Sequence, residues 1–254
     1  MAARSPFSLD GRTALVTGAN TGIGQGIALA LAEAGARVVA AGRSSMAETE
    51  KLIAEAGGTS FALQVDLQQE GIAARVIEQA QALAGPLDIL VNNAGIIRRA
   101  DALDFSESDW DEVMNLNLKA NFFLAQAFAK AALAAGRSGR IVNIASLLSF
   151  QGGIRVASYT ASKSGLAGLT RLLACEWAAK GINVNAIAPG YVESNNTEAL
   201  RADPDRNAAI LARIPAGRWG KPSDIGGAAV FLASDAAAYI HGAILPVDGG
   251  WLAR

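Results

Sequence analysis

The chain has 254 residues, of which 51% are hydrophobic and 18% are charged, and its formal net charge is −1. This size and composition predict one packed globular unit with a large core and argue against a disordered chain. The near-neutral charge excludes a basic surface for nucleic acid, and the lack of a long apolar run or secretory signal predicts a soluble cytoplasmic protein without membrane partners.

Short apolar runs alternate with helical patterns along the chain. The apolar runs, which predict strands, cover residues 12–17, 36–42, 60–67, 87–95, 140–146, 182–189 and 243–250. The helical patterns cover residues 25–36, 45–57, 70–85, 106–135, 157–180 and 223–234. Apolar strands that alternate with helices are typical of a parallel sheet buried on both faces. The sequence therefore predicts a single α/β domain over residues 1–254, a doubly wound parallel-sheet Rossmann fold with three αβα layers and a ligand beyond the carboxyl ends of its strands.

A glycine-rich turn joins the first predicted strand to the first helix. Gly18, Gly22 and Gly24 follow a G-x3-G-x-G spacing. Glycine lets the backbone approach a pyrophosphate, and the helix N-terminus offers free N–H groups and the positive end of a dipole. Because no GK[ST] follows, dinucleotide binding is favoured over a nucleotide-hydrolysing P-loop. The alternative is a tight strand-to-helix connection that binds nothing.

Polar residues stand at the ends of the third and fourth predicted strands. Asp66 is placed either to accept a hydrogen bond from an adenine amino group or to cap the next helix. Asn92 and Asn93 either face the ligand or simply make a turn. Ala94 and Gly95 leave room there for an adenosine ribose.

A hydroxyl, a phenol and an ammonium group follow one another between residues 146 and 163. Ser146 ends an apolar run thirteen residues before Tyr159, and Lys163 follows Tyr159 by four. Positions i and i+4 share a helix face, so Tyr159 and Lys163 point the same way. A nearby ammonium favours phenolate and lowers the tyrosine pKa, which makes Tyr159 an acid/base candidate. For a Tyr-x3-Lys pattern alone, a surface coincidence is the alternative.

The helical pattern at 106–135 carries a polar residue among apolar ones. Ser106 and Asp109 predict a capping box at its start. Asn117 is flanked by Leu116 and Leu118. A buried Asn must be satisfied, so Asn117 either bonds a neighbouring backbone or bends the helix around a water.

The single Cys175 and the single His241 restrict other chemistry. They exclude an internal disulfide and any metal site that needs two histidines. We expect Cys175 to pack in the core and His241 to lie in a loop.

A polar stretch over residues 191–222 follows Pro189 and Gly190. It has no strong hydrophobic period. This pattern predicts a mobile substrate lid at about residues 190–220.

These motifs occur in one order on one scaffold, and together they resemble the short-chain dehydrogenase/reductase family over nearly the whole chain. The resemblance implies that Tyr159 donates or accepts the proton, that Ser146 steadies the carbonyl or alkoxide, and that Lys163 lowers the tyrosine pKa and bonds the nicotinamide ribose. It also implies that Asn117 holds a helix kink and a relay water, and that no metal is needed. The implied NAD(P)(H)-binding residues are Gly18, Asn20, Thr21, Gly22, Ile23, Gly24, Arg43, Ser44, Asp66, Leu67, Asn93, Ala94, Gly95, Tyr159, Lys163, Pro189, Gly190 and Val192.

Within that family, residues 92–110, 149–165 and 183–203 are most similar to the dehydrogenases that act on 2-deoxy-D-gluconate or 2-dehydro-3-deoxy-D-gluconate in uronate and pectin breakdown. One departure is Ala157, where proline is expected. The resemblance implies a small sugar-acid substrate. A carboxylate needs a cation and a polyol needs amides and hydroxyls, so the candidate substrate residues are Arg98, Ser146, Gln151, Arg155, Asn195 and Asn196. Of the two arginines, Arg155 is the first candidate for the carboxylate, because it lies between Ser146 and Tyr159 on the loop that leads into the catalytic helix. For each loop residue the alternative is a solvated side chain, and for an arginine also an intersubunit ion pair.

The end of the second predicted strand bears on the choice of nucleotide. Dinucleotide folds that use NAD place an acid there, whereas this chain has Gly42 followed by Arg43, Ser44 and Ser45. A guanidinium with hydroxyls suits a 2′-phosphate, although Arg43 stacking on the adenine is the alternative. The related sugar-acid dehydrogenases include NAD users. We therefore expect both nucleotides to work, with a lean to NADP(H).

Assembly and competing functions complete the sequence interpretation. Two long helices with more apolar surface than one face can bury predict, with the family resemblance, a homotetramer. A 3-oxoacyl-carrier-protein reductase is a competing activity, disfavoured by the neutral charge. The second competing interpretation is a non-catalytic dinucleotide sensor. It is disfavoured because four residues that fit catalysis occur together: Asn117, Ser146, Tyr159 and Lys163.

Overall fold

The computed structural model describes residues 5–254, and its strands form one parallel sheet. The strands are β1 (Thr13–Thr17), β2 (Arg37–Gly42), β3 (Thr59–Gln64), β4 (Ile89–Asn92), β5 (Gly139–Ile144), β6 (Ile182–Pro189) and β7 (Ile244–Val247). Their order across the sheet is β3-β2-β1-β4-β5-β6-β7. The strand order reverses between β1 and β4, which opens a ligand crevice at the carboxyl ends of these two strands. The predicted doubly wound Rossmann sheet is confirmed.

Helices cover both faces of this sheet. They are α1 (Gly22–Glu33), α2 (Ala47–Glu55), α3 (Ile72–Ala84), α4 (Glu107–Met114), α5 (Asn121–Ala134), α6 (Ala157–Trp177), α7 (Glu198–Ala202), α8 (Pro204–Arg213) and α9 (Pro222–Ala233). Successive side chains of a strand point to opposite faces, so β1 contributes to two cores. Val16 packs in the core that includes α1 and α9, and Leu15 packs in the core that includes α3, α5 and α6.

The helix predicted at 106–135 is interrupted at its centre. A π-helical segment, Asn115–Ala120, lies between α4 and α5 and contains Asn117, the residue expected to hold a kink in this helix. A π-turn holds more residues than an α-turn and shifts which side chains face the sheet, and such segments are frequent at functional sites. The N-terminus follows the prediction, because Ser106 Oγ accepts a hydrogen bond from the Asp109 backbone at 3.1 Å.

Residues 191–220 form one segment that leaves the sheet and returns to it, and we call this segment the lid. Its two ends meet, because Val192 pairs with Gly220 and the Gly220 N–H donates to the Tyr191 carbonyl at 2.9 Å. Inside it lie a 3-10 turn over Asn195–Thr197, α7 and α8. The sequence pattern did not predict these helices, since segments of five and ten residues are too short for a clear period.

Two single residues had opposite outcomes. Cys175 is exposed on α6, so the expectation that it packs in the core was wrong. Its neighbours Leu173 and Ala174 occupy the buried face, and the helical rotation turns Cys175 outward. His241 lies in the loop before β7, as predicted. In the described part of the chain, no helix has the length and hydropathy that crossing a bilayer requires.

Candidate active site

The turns after β1 and β4 are bonded to each other. Thr17 Oγ1 accepts hydrogen bonds from the backbone N–H groups of Asn93 at 3.0 Å and Ala94 at 3.1 Å. In return, the Asn93 side chain donates to the Thr17 carbonyl at 2.9 Å and to the Gly18 carbonyl at 3.1 Å. Gly18 has φ +63°, and a Cβ there would lie 2.9 Å from the Ala94 Cα. A side chain at Gly18 would therefore separate the two turns.

A cavity of about 460 Å³ lies above these turns. It is lined by fifteen of the residues that the sequence assigned to the cofactor: Gly18, Asn20, Thr21, Gly22, Ile23, Gly24, Arg43, Ser44, Asp66, Leu67, Asn93, Ala94, Gly95, Tyr159 and Lys163. The N-terminus of α1 faces into it, where free N–H groups suit a pyrophosphate. The residues present therefore fit a dinucleotide.

Three residues assigned to the cofactor lie outside this cavity. Pro189 ends β6, and Gly190 and Val192 line a separate cavity of about 250 Å³. Gly190 is held against the C-terminal segment, because its N–H donates to the Val247 carbonyl at 2.9 Å. The chain turns into the lid at this point, which keeps the three residues off the main cavity wall. Their assignment to the cofactor stays a prediction.

The wall near β2 and β3 carries the groups expected to meet the adenosine. Gly42, Arg43 and Ser44 line the cavity there. The Arg43 carbonyl accepts a hydrogen bond from Gln64 Nε2 at 3.1 Å, and its guanidinium makes no ion pair with the residues described. Asp66 lines the same wall, and its Oδ1 also accepts from the Gln68 N–H at 3.0 Å. Asp66 therefore caps a local turn while it faces the cavity, and that turn precedes α3 instead of beginning it.

Ser146 lies next to Tyr159, and Tyr159 and Lys163 both line the cavity. The Ser146 side chain is close enough to the Tyr159 phenol to lower the pKa of that phenol. Lys163 is 3% exposed, and its Nζ donates to the Ile144 carbonyl at 2.6 Å and lies 5.6 Å from the centroid of the Tyr159 ring. The predicted grouping on one face of α6 is therefore present.

The charge states of this group differ from the sequence expectation. Burial raises the pKa of Tyr159, and the Ser146 side chain and the Arg99 charge act in the opposite direction. Burial also lowers the pKa of Lys163 from 10.5 to about 8. The expected lowering of the Tyr159 pKa is therefore not present in the free protein, because burial outweighs the opposing influences of Ser146 and Arg99.

Asn117 sits in the π-helical segment and bonds the loop after β4. Its Oδ1 accepts from the Ile96 N–H at 2.9 Å, and its Nδ2 donates to the Ile96 carbonyl at 2.8 Å. A Cβ on Gly95 would lie 3.0 Å from Asn117 Oδ1, so the glycine permits this approach. Of the two alternatives, bonding to a neighbouring backbone is present. Asn117 thereby joins the interrupted helix to the loop that lines the cavity.

Arg98 lines the cavity but its charge is neutralised. The guanidinium bonds Glu112 Oε2 at 2.7 Å and lies 3.5 Å from Asp109 Oδ1. Gln68 reaches the same Glu112 at 3.5 Å. Because two carboxylates already face it, Arg98 acts as a wall residue and does not offer a free cation to a substrate.

Arg155 was the leading sequence candidate for the substrate carboxylate, and the structure pairs it elsewhere. Its Nε lies 3.2 Å from Asp101 Oδ1, and its side chain is 60% exposed. It is also a non-glycine residue with positive φ, at +64°. The left-handed backbone turns the loop outward, so sequence proximity to Tyr159 does not place Arg155 in the cleft.

Arg99 is the functional candidate that the sequence interpretation missed. Its charge acts on Tyr159, and its NH2 group donates to the Asn196 carbonyl of the lid at 2.9 Å. No carboxylate in residues 5–254 forms an ion pair with it. The only sequence signal was its position next to Arg98, and nothing local distinguished the free arginine from the neutralised one.

Of the other candidate substrate residues, two line the cavity and Gln151 does not. Asn195 and Asn196 line the cavity from the lid. Gln151 lies on the loop between Ser146 and Tyr159, where its Oε1 accepts from the Trp251 indole at 3.3 Å. Unassigned cavity residues include Ser194 and Glu112, which become neighbours of the cofactor site only through the lid and α4.

A second cavity, of about 870 Å³, lies between α3 and α5. Its wall includes Lys119, Lys130 and Glu78 but brings no hydroxyl, phenol or imidazole together with a base. Over residues 5–254 no group of three potential metal ligands of the His, Cys, Asp or Glu type occurs. The chemistry therefore concentrates in the smaller cavity at the ends of β1 and β4.

Comparison with known proteins agrees with this geometry. A family model described as Enoyl-(Acyl carrier protein) reductase matches residues 18–252. The 2-dehydro-3-deoxy-D-gluconate 5-dehydrogenase of Escherichia coli (strain K12) is 59% identical over 251 residues, which cover 98% of this chain and 99% of the relative. The chain belongs to the short-chain dehydrogenase/reductase family. The family confirms the sequence interpretation of fold and enzyme class, a nicotinamide-dependent oxidoreductase.

Solved structures add ligands to the comparison. A crystal structure from Agrobacterium tumefaciens, assigned as a 2-deoxy-D-gluconate 3-dehydrogenase and solved with bound NADP, is 67% identical with a TM-score of 0.94, covering 99% of this chain and 100% of that one. A gluconate 5-dehydrogenase from Burkholderia cenocepacia J2315 in complex with NADP and tartrate is 39% identical, with a TM-score of 0.92 and 98% coverage of both chains.

Proposed function

We propose that this enzyme transfers a hydride between NAD(P)(H) and a keto or hydroxy group of a deoxy sugar acid, of the 2-dehydro-3-deoxy-D-gluconate or 2-deoxy-D-gluconate type, in uronate and pectin catabolism. The observation that carries the proposal is Arg99, an exposed cation with no ion-pair partner in residues 5–254, whose guanidinium donates to the Asn196 carbonyl of the lid and whose charge lowers the pKa of Tyr159. A carboxylate is the group that such an arginine binds best. The names of the relatives support the same substrate class.

The side chains divide the chemistry among them. The nicotinamide, when bound, supplies or accepts the hydride. Tyr159 returns a proton to the oxygen that forms on reduction, or removes it on oxidation, because its phenol lies beside the Ser146 hydroxyl. Ser146 donates to the same oxygen and stabilises its developing charge. Arg99 holds the carboxylate at the lid, away from the reacting carbon.

Lys163 and Asn117 support these groups. Lys163 is buried beneath Tyr159, where we propose that it bonds the nicotinamide ribose and favours the phenolate once the cofactor covers it. Asn117 fixes the loop at Ile96 through two hydrogen bonds and so holds one wall of the nicotinamide end. Its role is positioning in the free protein.

For the nucleotide, we propose that both NADPH and NADH work, with a preference for NADPH. Arg43 and Ser44 line the adenosine wall, and Gly42 stands where an acid would repel a 2′-phosphate. NADP in the related structures supports the lean. The location we propose is the cytoplasm.

We also propose a homotetramer. Four large apolar side chains lie exposed on the helices named in that expectation, Trp110, Phe123, Leu133 and Leu172, with exposures of 38% to 48%. Exposed apolar side chains on neighbouring helices suit a symmetric interface. Light scattering at micromolar concentration should give four times the chain mass of 26.1 kDa. A monomer mass would contradict this assembly.

The activity is tested with a panel of 3-deoxy keto-uronates, saturated keto sugar acids and an acetoacetyl thioester, each with NADPH and NADH. We expect turnover of the sugar acids and at least about a hundredfold lower kcat/KM for the thioester, which offers no free carboxylate to Arg99. A preference for the thioester would replace the proposed function with the acyl-carrier-protein reductase alternative. Nucleotide binding without turnover of any carbonyl would favour the sensor.

A further inference from the structure

The C-terminal segment reaches the loop that carries the catalytic serine. Trp251 is 4% exposed, and its indole Nε1 donates to the Gln151 side-chain oxygen at 3.3 Å, across 100 residues of sequence. Leu147, the neighbour of Ser146, packs in the same apolar cluster as Trp251. The turn at Trp251 therefore packs against the loop that joins Ser146 to Tyr159.

Trp251 is held from three sides. Arg213 of α8 lies 4.0 Å over its ring, and the Tyr191 ring centroid lies 4.6 Å away. Asp248 fixes the turn below it, since its carboxylate accepts from the Gly250 N–H and the Leu252 N–H, both at 2.9 Å. The indole N–H is thus a donor in a fixed position. Tyr191 and Arg213 of the lid and the turn at Asp248 together fix that position.

This fixed donor decides how the Gln151 amide is oriented. An indole N–H can only donate, so the amide must present its oxygen to Trp251 and its NH₂ group must face elsewhere. Gln151 Nε2 has no acceptor among the protein groups in residues 5–254, and the side chain is half-buried on the loop between Ser146 and Tyr159. We infer that Trp251 is a positioning residue that makes Gln151 a hydrogen-bond donor to a hydroxyl or carbonyl oxygen of the substrate.

This inference rests on the proposed function, because it places a polyol oxygen next to Gln151. It explains why a tryptophan suits position 251 better than a phenylalanine. A phenylalanine would fill the same apolar cluster but leave the Gln151 amide free to rotate. Either end of the amide would then face the substrate, and only its NH₂ group can donate to a polyol oxygen.

The main test is Trp251→Phe, assayed on whichever sugar acid the wild type turns over. We expect KM to rise about three- to tenfold, the effect of one neutral hydrogen bond, while kcat stays within about twofold. Trp219→Phe is the matched control, because its indole lies in the same cluster but donates to Asn207 of the lid at 2.7 Å. KM in Trp219→Phe should stay at the wild-type value.

Coupling distinguishes positioning from packing. If Trp251 acts through Gln151, then Trp251→Phe should change KM no further in a Gln151→Met background. Additive effects in the double variant would overturn the inference. Gln151→Glu keeps an oxygen for the indole but removes the donor, so KM should rise while the indole bond persists.

A substrate-independent measurement separates this inference from the proposed function. The Trp251 indole N–H, identified in a nitrogen-15 spectrum by its loss in Trp251→Phe, should exchange slowly in wild type and faster in Gln151→Met. Unchanged exchange would show that Gln151 does not hold the indole and would overturn the inference. Failure of the wild type on every sugar acid would instead reject the proposed function, whatever the exchange data show.

Discussion

The cofactor half and the substrate half of the cleft are built by different means. In the cofactor half, backbone groups of the turns after β1 and β4 bond one another through Thr17 and Asn93, directly above buried strands. In the substrate half, side chains from the lid, the loop at 147–156 and the C-terminus meet, as in the contacts of Arg99 with Asn196 and of Trp251 with Gln151. Backbone turns suit a ligand shared by a whole family, whereas side chains on loops can change with the substrate.

Tyr159 stands where the two halves meet, and its loss should produce the largest effect. Tyr159→Phe keeps the ring but removes the proton, so kcat should fall about a thousandfold or more. NADPH affinity, measured by fluorescence titration, should stay within about threefold because the cofactor half is intact. A residual kcat near the wild-type value would remove Tyr159 from the mechanism.

A change at Arg99 should affect the substrate half of the cleft and leave the cofactor half intact. Arg99→Ala should lower kcat/KM for a sugar acid about ten- to a hundredfold, the value of one charge-assisted contact, and leave the NADPH dissociation constant unchanged. It should also raise the pKa of Tyr159, because the Arg99 charge lowers it now, and so move the rise of oxidation rate to higher pH.

Arg155→Ala is the matched control for Arg99→Ala. Arg155 has the same charge and lies closer to Tyr159 in sequence, but its guanidinium faces Asp101. We expect its kcat/KM to equal that of wild type. A larger loss in Arg155→Ala than in Arg99→Ala would restore the sequence-based assignment. The KM for an uncharged polyol substrate, which has no carboxylate for Arg99 to bind, should not differ among the three proteins.

Burial of the Lys163 ammonium group in the active site lowers the stability of the free protein. The pKa of Lys163 is about 8 in the folded protein against 10.5 in the unfolded chain, so the unfolded state binds more protons between these values and stability rises with pH. Each pKa unit corresponds to about 1.4 kcal/mol, so the buried charge destabilises the free protein by about 3 kcal/mol at pH 7.

Lys163→Met should therefore be inactive and yet more stable than wild type at pH 7, by about 2 kcal/mol after the lost bond to the Ile144 carbonyl is subtracted. The difference should shrink between pH 8 and 10, below the titration of Tyr159. Urea unfolding of both proteins across that range measures it. A constant difference over the whole range would mean that Lys163 does not change its charge there.

The same contrast explains what the sequence predicts and what it does not. The strands, the glycine turn and the Ser146, Tyr159 and Lys163 group follow from local patterns, because parallel strands bring their carboxyl ends to one edge. Local patterns do not reveal which of Arg98 and Arg99 is free to bind a substrate. That difference depends on Glu112 of α4, which reaches Arg98 only in the folded chain.

Positions within loops and interrupted helices were also beyond local patterns. Arg155 lies near Tyr159 in sequence, but its backbone at φ +64° directs it to Asp101. The π-helical segment leaves the apolar composition of 106–135 unchanged, so periodicity does not reveal it. Trp251 reads as an apolar residue near the C-terminus, and its bond to Gln151 arises only from tertiary structure.

Arg43 should produce the smallest effect, and it sharpens the comparison from the cofactor side. Arg43 and Ser44 line the adenosine wall. Within the described residues the Arg43 guanidinium forms no ion pair, and the neighbouring Gly42 carries no negative charge that would repel a phosphate. Arg43→Ala should weaken NADPH about tenfold, because an arginine bonds a 2′-phosphate with charge assistance, and should leave NADH within about twofold. The KM for the sugar acid should not change, since that half of the cleft is built by other segments. Arg43→Lys keeps the charge but loses the planar guanidinium, so its NADPH affinity should lie between those of wild type and Arg43→Ala. If Arg43→Ala weakens both nucleotides equally, then Arg43 stacks on the adenine and does not read the phosphate, and any preference for NADPH must come from Ser44 and Ser45.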